Sequence, residues 1–254
     1  MAERQPSVDL GKFNEMTSYH AFAPFYDAVQ GDGAERVSFL RELIENRHAS
    51  ARTVLELACG TGSILKQLQP VYSVTGLDLS PEMLHVAAEK VPDARLIEAN
   101  MTAFDLGERF DVVLCVYDSI NHLLDFAEWE AVFDRAHDHL NDGGLLIFDI
   151  NTERQLASFT AQPPWVHWFG EDHLLVMDVR PGETEGVVAW GIRVFEHQDD
   201  GRYLLHSEDI REVSFPRGQI EQSLRERFRH VGVHDRLRQR PSPASERLHF
   251  VAKK

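Results

Sequence analysis

The chain has 254 residues, of which 43% are apolar and 26% charged, and a formal net charge of −15; that length and balance suit one soluble α/β domain with an insertion. The acidic balance argues against nucleic acid as the main ligand, although in the segment 216–254 basic residues outnumber acidic ones, with Arg225, Arg227, Arg229, Arg236, Arg238 and Arg240 reading as a solvated helix face and strand edge. No apolar run reaches the length of a membrane span or forms a secretory stretch near the start, and the only cysteines, Cys59 and Cys115, read as buried thiols; a cytoplasmic protein with no metal site and no disulfide is expected.

In chain order, Ser18-Tyr19-His20-Ala21-Phe22-Ala23-Pro24-Phe25-Tyr26-Asp27 gathers aromatics ahead of the fold proper, after a polar and frayed start over 1–12. An amphipathic segment covering the core explains them. Val37, Leu40, Leu43 and Ile44 recur at helical spacing and predict a helix over 35–47. Val54 to Ala58 is a short apolar run of the kind that makes a strand buried on both faces. Gly60-Thr61-Gly62 breaks it, and Ser63 is placed to cap a helix through Ile64, Leu65 and Leu68. At such a junction backbone N–H groups can meet a ligand with no side chain between. A second strand, Tyr72 to Leu77, ends in Asp78. An acid at the carboxyl end of the neighbouring strand can accept two hydrogen bonds from a ribose diol.

The ligand is not a dinucleotide of the usual kind. A G-x-G-x-x-G fingerprint would need glycine where Leu65 stands, and no Gly-Lys-Ser/Thr follows for a P-loop. A nucleoside without a phosphate to cradle remains. Ser80 with Pro81 starts the next helix, which buries Met83, Leu84, Ala87 and Ala88. A third strand over Arg95–Ala99 ends at Asn100-Met101, and a fourth, Phe110–Cys115, runs into Val116-Tyr117-Asp118-Ser119-Ile120-Asn121-His122-Leu123. In an open parallel sheet, ligands sit outside the carboxyl ends of the strands, and this loop is too polar for mere chain closure. Phe126, Trp129, Val132, Phe133 and Ala136 predict a helix, and Leu145–Phe148 a fifth strand, with Asp149 and Asn151 at its carboxyl end either facing the substrate or capping the exit loop.

From Thr152 the pattern turns to antiparallel strands over 165–169, 174–179, 187–195 and 203–215, with a hairpin turn at Asp199-Asp200-Gly201. Trp165, Trp168, Trp190 and Tyr203 are expected in the core of this insertion, the alternative being that one of them lines the substrate pocket. A helix over 219–228, a sixth strand over 232–237 and an antiparallel seventh over 245–252 complete the chain.

The string Glu56-Leu57-Ala58-Cys59-Gly60-Thr61-Gly62, followed by Asp78 and Ser80-Pro81-Glu82-Met83-Leu84, resembles the first motifs of class I S-adenosylmethionine-dependent methyltransferases. Ser119-Ile120-Asn121-His122-Leu123 is similar to the small-amine branch, which includes glycine N-methyltransferase and the aminosugar N,N-dimethyltransferases. The resemblance implies a Rossmann-like, mostly parallel α/β sheet whose last strand is antiparallel. The expected division is a lid segment over 1–33, a core over 34–151 and 216–254, and an inserted antiparallel β cap over 152–215. S-adenosyl-L-methionine is the implied cofactor. Its implied contacts are Tyr19 from the lid, Glu56 at the methionine end, Ala58, Gly60 and Gly62 in the loop, and Asp78 and Leu79 at the ribose. Met83, Asn100, Met101, Cys115 and Tyr117 complete them, with the amide oxygen of Asn100 accepting from the adenine amine.

The implied substrate is a small-molecule methyl acceptor, met by Tyr26, Asp118, Asn121 and His122, with no nucleic-acid or membrane partner. In-line displacement needs no covalent residue. An amine must lose its proton to attack, and His122 is the candidate base because imidazole titrates near neutrality. Asp118 is expected to attract a cationic amine. A hydroxyl or carboxyl acceptor, a protein that binds the cofactor without transfer, and a nicotinamide-dependent oxidoreductase are the competing readings. Leu65 counts against the last.

Overall fold

The structure is a computed structural model that describes residues 19–31, 33–235 and 240–254. The expected frayed start, along with Arg236, Leu237 and Arg238 of the basic end, lies outside the described residues. Tyr19 to Phe22 lead into a 3-10 turn, Ala23–Phe25, and helix α1, Tyr26–Gln30; α2, Ala34–Arg47, follows. Five parallel strands come next: β1 (Thr53–Leu57), β2 (Ser73–Asp78), β3 (Arg95–Glu98), β4 (Phe110–Cys115) and β5 (Leu140–Asn151). Helices α3 (Ser63–Leu68), α4 (Pro81–Lys90) and α5 (Phe126–Asp138) connect them.

After α6 (Glu153–Thr160) the chain makes a separate antiparallel sheet from β6 (Trp165–Phe169), β7 (His173–Pro181), β8 (Val188–His197) and β9 (Tyr203–Glu212). It returns through α7 (Arg217–Arg227) to β10 (His230–Asp235) and β11 (Arg247–Lys253). Among the described residues the large sheet runs β10-β11-β5-β4-β1-β2-β3, with β11 antiparallel to both neighbours. From β1 the strand order runs outward one way through β2 and β3 and the other way through β4 and β5, which makes the switch point between the parallel strands β1 and β4, and both end at the same cleft.

The large sheet buries both faces. Trp129, Phe133, Phe148 and Phe250 fill one side, and Leu40, Ile44, Leu65 and Leu68 the other. Each fully buried side chain of this size contributes about 1.5–3 kcal/mol relative to exposure. A third cluster joins Phe22 and Phe25 to Leu175, Ile192, Val194 and Ile210 of the small sheet. The N-terminal segment is thus split by its own turn: its phenylalanines are core cover, while Tyr19 and Tyr26 line the cleft described below.

Two local expectations are corrected. Ser63 does not cap α3; Gly62 is the N-cap residue at φ 74°, with no side-chain cap. Trp165, Trp168 and Tyr203 are not core, being 44%, 58% and 46% exposed. They belong to β6 and β9, the two edge strands, and Trp168 pairs in register with Leu174, which faces Phe195 and then Leu205, on the face turned away from the body. Trp190 is half-buried against Phe159. Ser80, by contrast, caps α4 by accepting from the Met83 N–H at 3.2 Å.

Candidate active site

The carboxyl ends of β1, β2, β3 and β4 open onto a cavity of about 340 Å³, within the range of small-ligand sites. Tyr19, Tyr26, Ala58, Gly60, Asp78 and Leu79 line it, as do Met83, Asn100, Met101, Tyr117 and His122. A smaller pocket of about 40 Å³ adjoins, sharing Tyr26, Ala58, Gly60, Tyr117 and Ser119 with the first and adding Glu56. Backbone strain gathers here. Of the five described non-glycine residues with positive φ, Tyr19, Ala58 and Tyr117 line the cavity and Asp118 follows directly. Such conformations cost about 1–3 kcal/mol each and persist where surrounding structure over-determines them.

Glu56 and Asp78 divide the acidic work. Glu56 is 3% exposed, and its Oε2 has no hydrogen-bond partner. Burial, with the nearby Asp78, pushes its carboxyl up. An unpartnered buried oxygen beside the smaller pocket is matched by a donor such as an ammonium group. Asp78 accepts the Gly60 N–H at 2.7 Å and the Ser80 N–H at 2.9 Å. Burial raises its pKa against those bonds, and the remaining lone pairs are free for a diol. These acids, the glycine loop and the apolar floor of Leu77, Met83 and Met101 fit the nucleoside and the charged amino-acid end of S-adenosylmethionine.

The geometry of His122 is determined by its two partners. Nδ1 lies 3.1 Å from the Arg211 carbonyl oxygen, and Nε2 lies 3.1 Å from the Tyr19 hydroxyl. A carbonyl only accepts, so Nδ1 carries the proton and the Tyr19 O–H donates to Nε2. Burial lowers the His122 pKa and raises that of Tyr19, so a neutral imidazole meets a protonated phenol.

Three expected contacts lie elsewhere. Asn121 is fully buried; its Nδ2 donates to the Val213 and Asn151 carbonyls at 2.7 and 3.1 Å, and its Oδ1 accepts the Asn151 N–H. It staples the cap's return to the core. Asp118 turns away from the cavity to Arg247 at 2.7 Å and Asn151 at 2.8 Å. Cys115 is fully buried, its sulfur 4.0 Å from that of Met101.

Two expected roles also change. A Cβ on Gly62 would meet Ala87 and Val91 at 3.2 Å, so Gly62 admits helix α4, and it does not line the cavity. The Asn100 oxygen already accepts from the Thr102 N–H and Oγ1, both at 2.8 Å. That leaves its NH₂ group for the cavity, a donor where an acceptor was expected.

Also on the wall are Ser119 and Leu123, from the motif after β4, and three residues the sequence did not single out, Leu124, Glu128 and Arg211. Glu128 also closes a capping box with Asp125 at the start of α5. Arg211 sits in a cap strand whose alternation gives no sign that its carbonyl reaches His122.

Behind the cavity a polar latch joins three elements. Lys90, at the end of α4, donates to Asp27 of α1 and to Thr61 Oγ1 and Ser63 Oγ at 3.0 and 2.9 Å. Both hydroxyls in turn donate to Asp27 Oδ1, at 2.6 and 3.0 Å. The aromatic segment is therefore tied to the glycine loop itself. Among the described residues no group of His, Cys, Asp and Glu could hold a metal ion, and no helix is long and apolar enough to cross a membrane.

Residues 54–144 match the family described as "Methyltransferase domain". A protein from Geobacillus sp. (strain WCH70), named as a methyltransferase, is 30% identical over 253 residues, covering 93% of this chain and 100% of that relative. The dTDP-3-amino-3,6-dideoxy-alpha-D-glucopyranose N,N-dimethyltransferase of Streptomyces fradiae is 34% identical over 155 residues, covering 59% of this chain and 54% of its own. Among solved structures, the sugar N-methyltransferase KedS8 from Streptoalloteichus sp. ATCC 53650 superposes with a TM-score of 0.76 at 25% identity, covering 100% of this chain and 99% of that one. An S-adenosylmethionine-dependent methyltransferase from Clostridium acetobutylicum ATCC 824 gives 0.80 at 24% identity, covering 92% and 98%. With these matches and the class I sheet, the chain belongs to the S-adenosylmethionine-dependent methyltransferases.

Proposed function

We propose that this enzyme methylates the nitrogen of a small-molecule amine, that the acceptor is an amino sugar, and that His122 is the base. The observation that carries the reading is the half-buried His122 ring, held by the Arg211 carbonyl so that Nε2 faces the cavity as an acceptor. Relatives named for amino-sugar N,N-dimethylation support the choice of acceptor.

When bound, S-adenosylmethionine supplies an electrophilic methyl group on a sulfonium. Glu56 would meet the ammonium at its methionine end, Asp78 the ribose, and the Asn100 NH₂ a ring nitrogen of adenine. The incoming acceptor ammonium replaces the Tyr19 hydroxyl as donor to His122 Nε2. The imidazole takes the proton, which frees the nitrogen lone pair for in-line attack. Tyr19 and Tyr26 cover the cavity and exclude water. Depression of the His122 pKa by burial keeps the imidazole neutral and ready at physiological pH.

The test uses purified protein, S-adenosylmethionine and dTDP-3-amino-3,6-dideoxy-α-D-glucopyranose, with products read by mass spectrometry. Methyl groups on the amine are expected, with kcat falling about 10²- to 10⁴-fold in His122→Ala. Methylation confined to hydroxyl groups, or unchanged turnover of the variant near neutral pH, would overturn the reading.

A further inference from the structure

His122 is held through a bond whose two ends come from different parts of the chain. The ring belongs to a 3-10 turn, Ser119–His122, which Asp118 precedes in the left-handed conformation at φ 52°. The carbonyl belongs to Arg211 in β9 of the small sheet. Nothing in the local sequence of either segment ties one to the other.

Asn151, the last residue of β5, is 3% exposed and uses every polar atom it has. Its Nδ2 donates to Asp118 Oδ2 at 2.8 Å and to Glu212 Oε2 at 3.2 Å. Its Oδ1 accepts from Arg247 Nη2 at 2.9 Å. Its backbone N–H and carbonyl are both taken by the Asn121 side chain, at 3.1 Å each. One amide group thus grips the residue before the His122 turn and the residue after Arg211. Arg247, the first residue of β11, completes the hub by pairing with Asp118 at 2.7 Å and with Asp149. Asp149 in turn accepts the N–H of Tyr117, the other residue of the left-handed pair, at 2.8 Å.

We propose that Asn151 and Arg247 are positioning residues for His122: from β5 and β11 they hold both ends of the Nδ1–Arg211 hydrogen bond and thereby fix which ring nitrogen faces the cavity. Neither touches the cavity. Their action runs through Asp118 on one side and Glu212 on the other. This inference deepens the role given to His122 above, yet it concerns the geometry of the ring and stands or falls without an acceptor.

The experiment uses the full chain labelled with ¹⁵N-histidine and saturated with S-adenosylhomocysteine, the His122 signals being assigned by their loss in His122→Gln. In the wild type the shifts of a single Nδ1–H tautomer are expected. In Asn151→Ala, which leaves Asp118 paired with Arg247, and in Asp118→Asn, which keeps the side-chain shape, the shifts should move toward a mixture of both tautomers. Calorimetric affinity for S-adenosylhomocysteine should stay within threefold. Arg247→Lys, retaining charge but not the fork, should lie between these variants and the wild type. Wild-type tautomer shifts in both Asn151→Ala and Asp118→Asn would overturn the proposal and leave the cluster a structural one. A tenfold or greater loss of S-adenosylhomocysteine affinity would also overturn it, by placing the cluster's effect on the cofactor loop. If Asn151→Ala fails to fold, Asp118→Asn alone decides.

Discussion

The latch behind the cavity makes a kinetic prediction. Lys90→Met removes a cation that donates to Asp27, Thr61 and Ser63 while keeping the length of the side chain. Hydrogen bonds to charged groups contribute about 1.5–3 kcal/mol. The Asp27 side chain is 40% exposed, and solvent screening reduces that to about 1–2 kcal/mol. The loss falls on the closed segment, because Thr61 and Ser63 keep their backbone places whether or not α1 is docked. Since Tyr19 and Tyr26 of that segment line the cavity, opening should precede departure of bound nucleoside, and about 1–2 kcal/mol corresponds to about a 5- to 30-fold faster exit. The assay is dissociation of tritiated S-adenosylhomocysteine after dilution into unlabelled competitor. Lys66→Met, an exposed lysine of α3, serves as the control and should leave the rate unchanged. A dissociation rate within twofold of wild type in Lys90→Met, in a protein with an unaltered unfolding midpoint, would refute the idea that the latch holds the lid.

Two further outcomes concern stability. Gly76→Ala places a Cβ 2.6 Å from Leu65 Cδ1 and 2.7 Å from Cys59 Sγ, an overpacking expected to cost about 1–3 kcal/mol; thermal unfolding should show the double variant with Leu65→Ala to be less destabilised than the sum of the singles, and additivity would count against this packing. Glu212 has a carboxyl that burial and the neighbouring Asp118 push up to about 8 from 4.5. Its proton is bound more tightly in the folded state, so its stabilising contribution is full below about 4.5 and lost as pH rises through about 8, at up to about 1.4 kcal/mol for each pH step between. Urea unfolding between pH 5 and 8 should therefore show a shallower loss of stability in Glu212→Gln, and parallel slopes would refute the assignment.

How much of this was legible before folding depended on whether a residue's role is set by its own strand. The glycine turn, Asp78 and the polar loop after β4 announced the cleft because period and punctuation fix which strand ends carry them. Leu65 was read as a missing glycine. The structure adds the reason it is tolerated: Gly76, on the adjacent strand, has no side chain where Leu65 packs. The clearance between helix and sheet is a property of the pair, and either partner can provide it. A fingerprint written on one segment sees only half of that condition.

Asp118 and Asn121 were misplaced in advance, and His122 was not, for a different reason. Asp118, Asn121 and His122 stand within five positions of one another on one polar loop, and sequence gives no means of ranking them. Each could face a ligand or the core. What separates them is the partner each finds at long range: Arg247, Val213 and Arg211 respectively. An aspartate that meets a buried arginine is withdrawn from the cavity, and an asparagine that meets two carbonyls becomes a staple. The histidine that meets one carbonyl keeps its second nitrogen for chemistry. Trp168 shows the same logic on the outside, since alternation fixes which residues share a face but not which face the body covers. The two strands that bring Arg247 and Arg211 to this loop are β11 and β9, the last of the large sheet and the last of the small one. Their arrival turns a polar loop into a site with one oriented base.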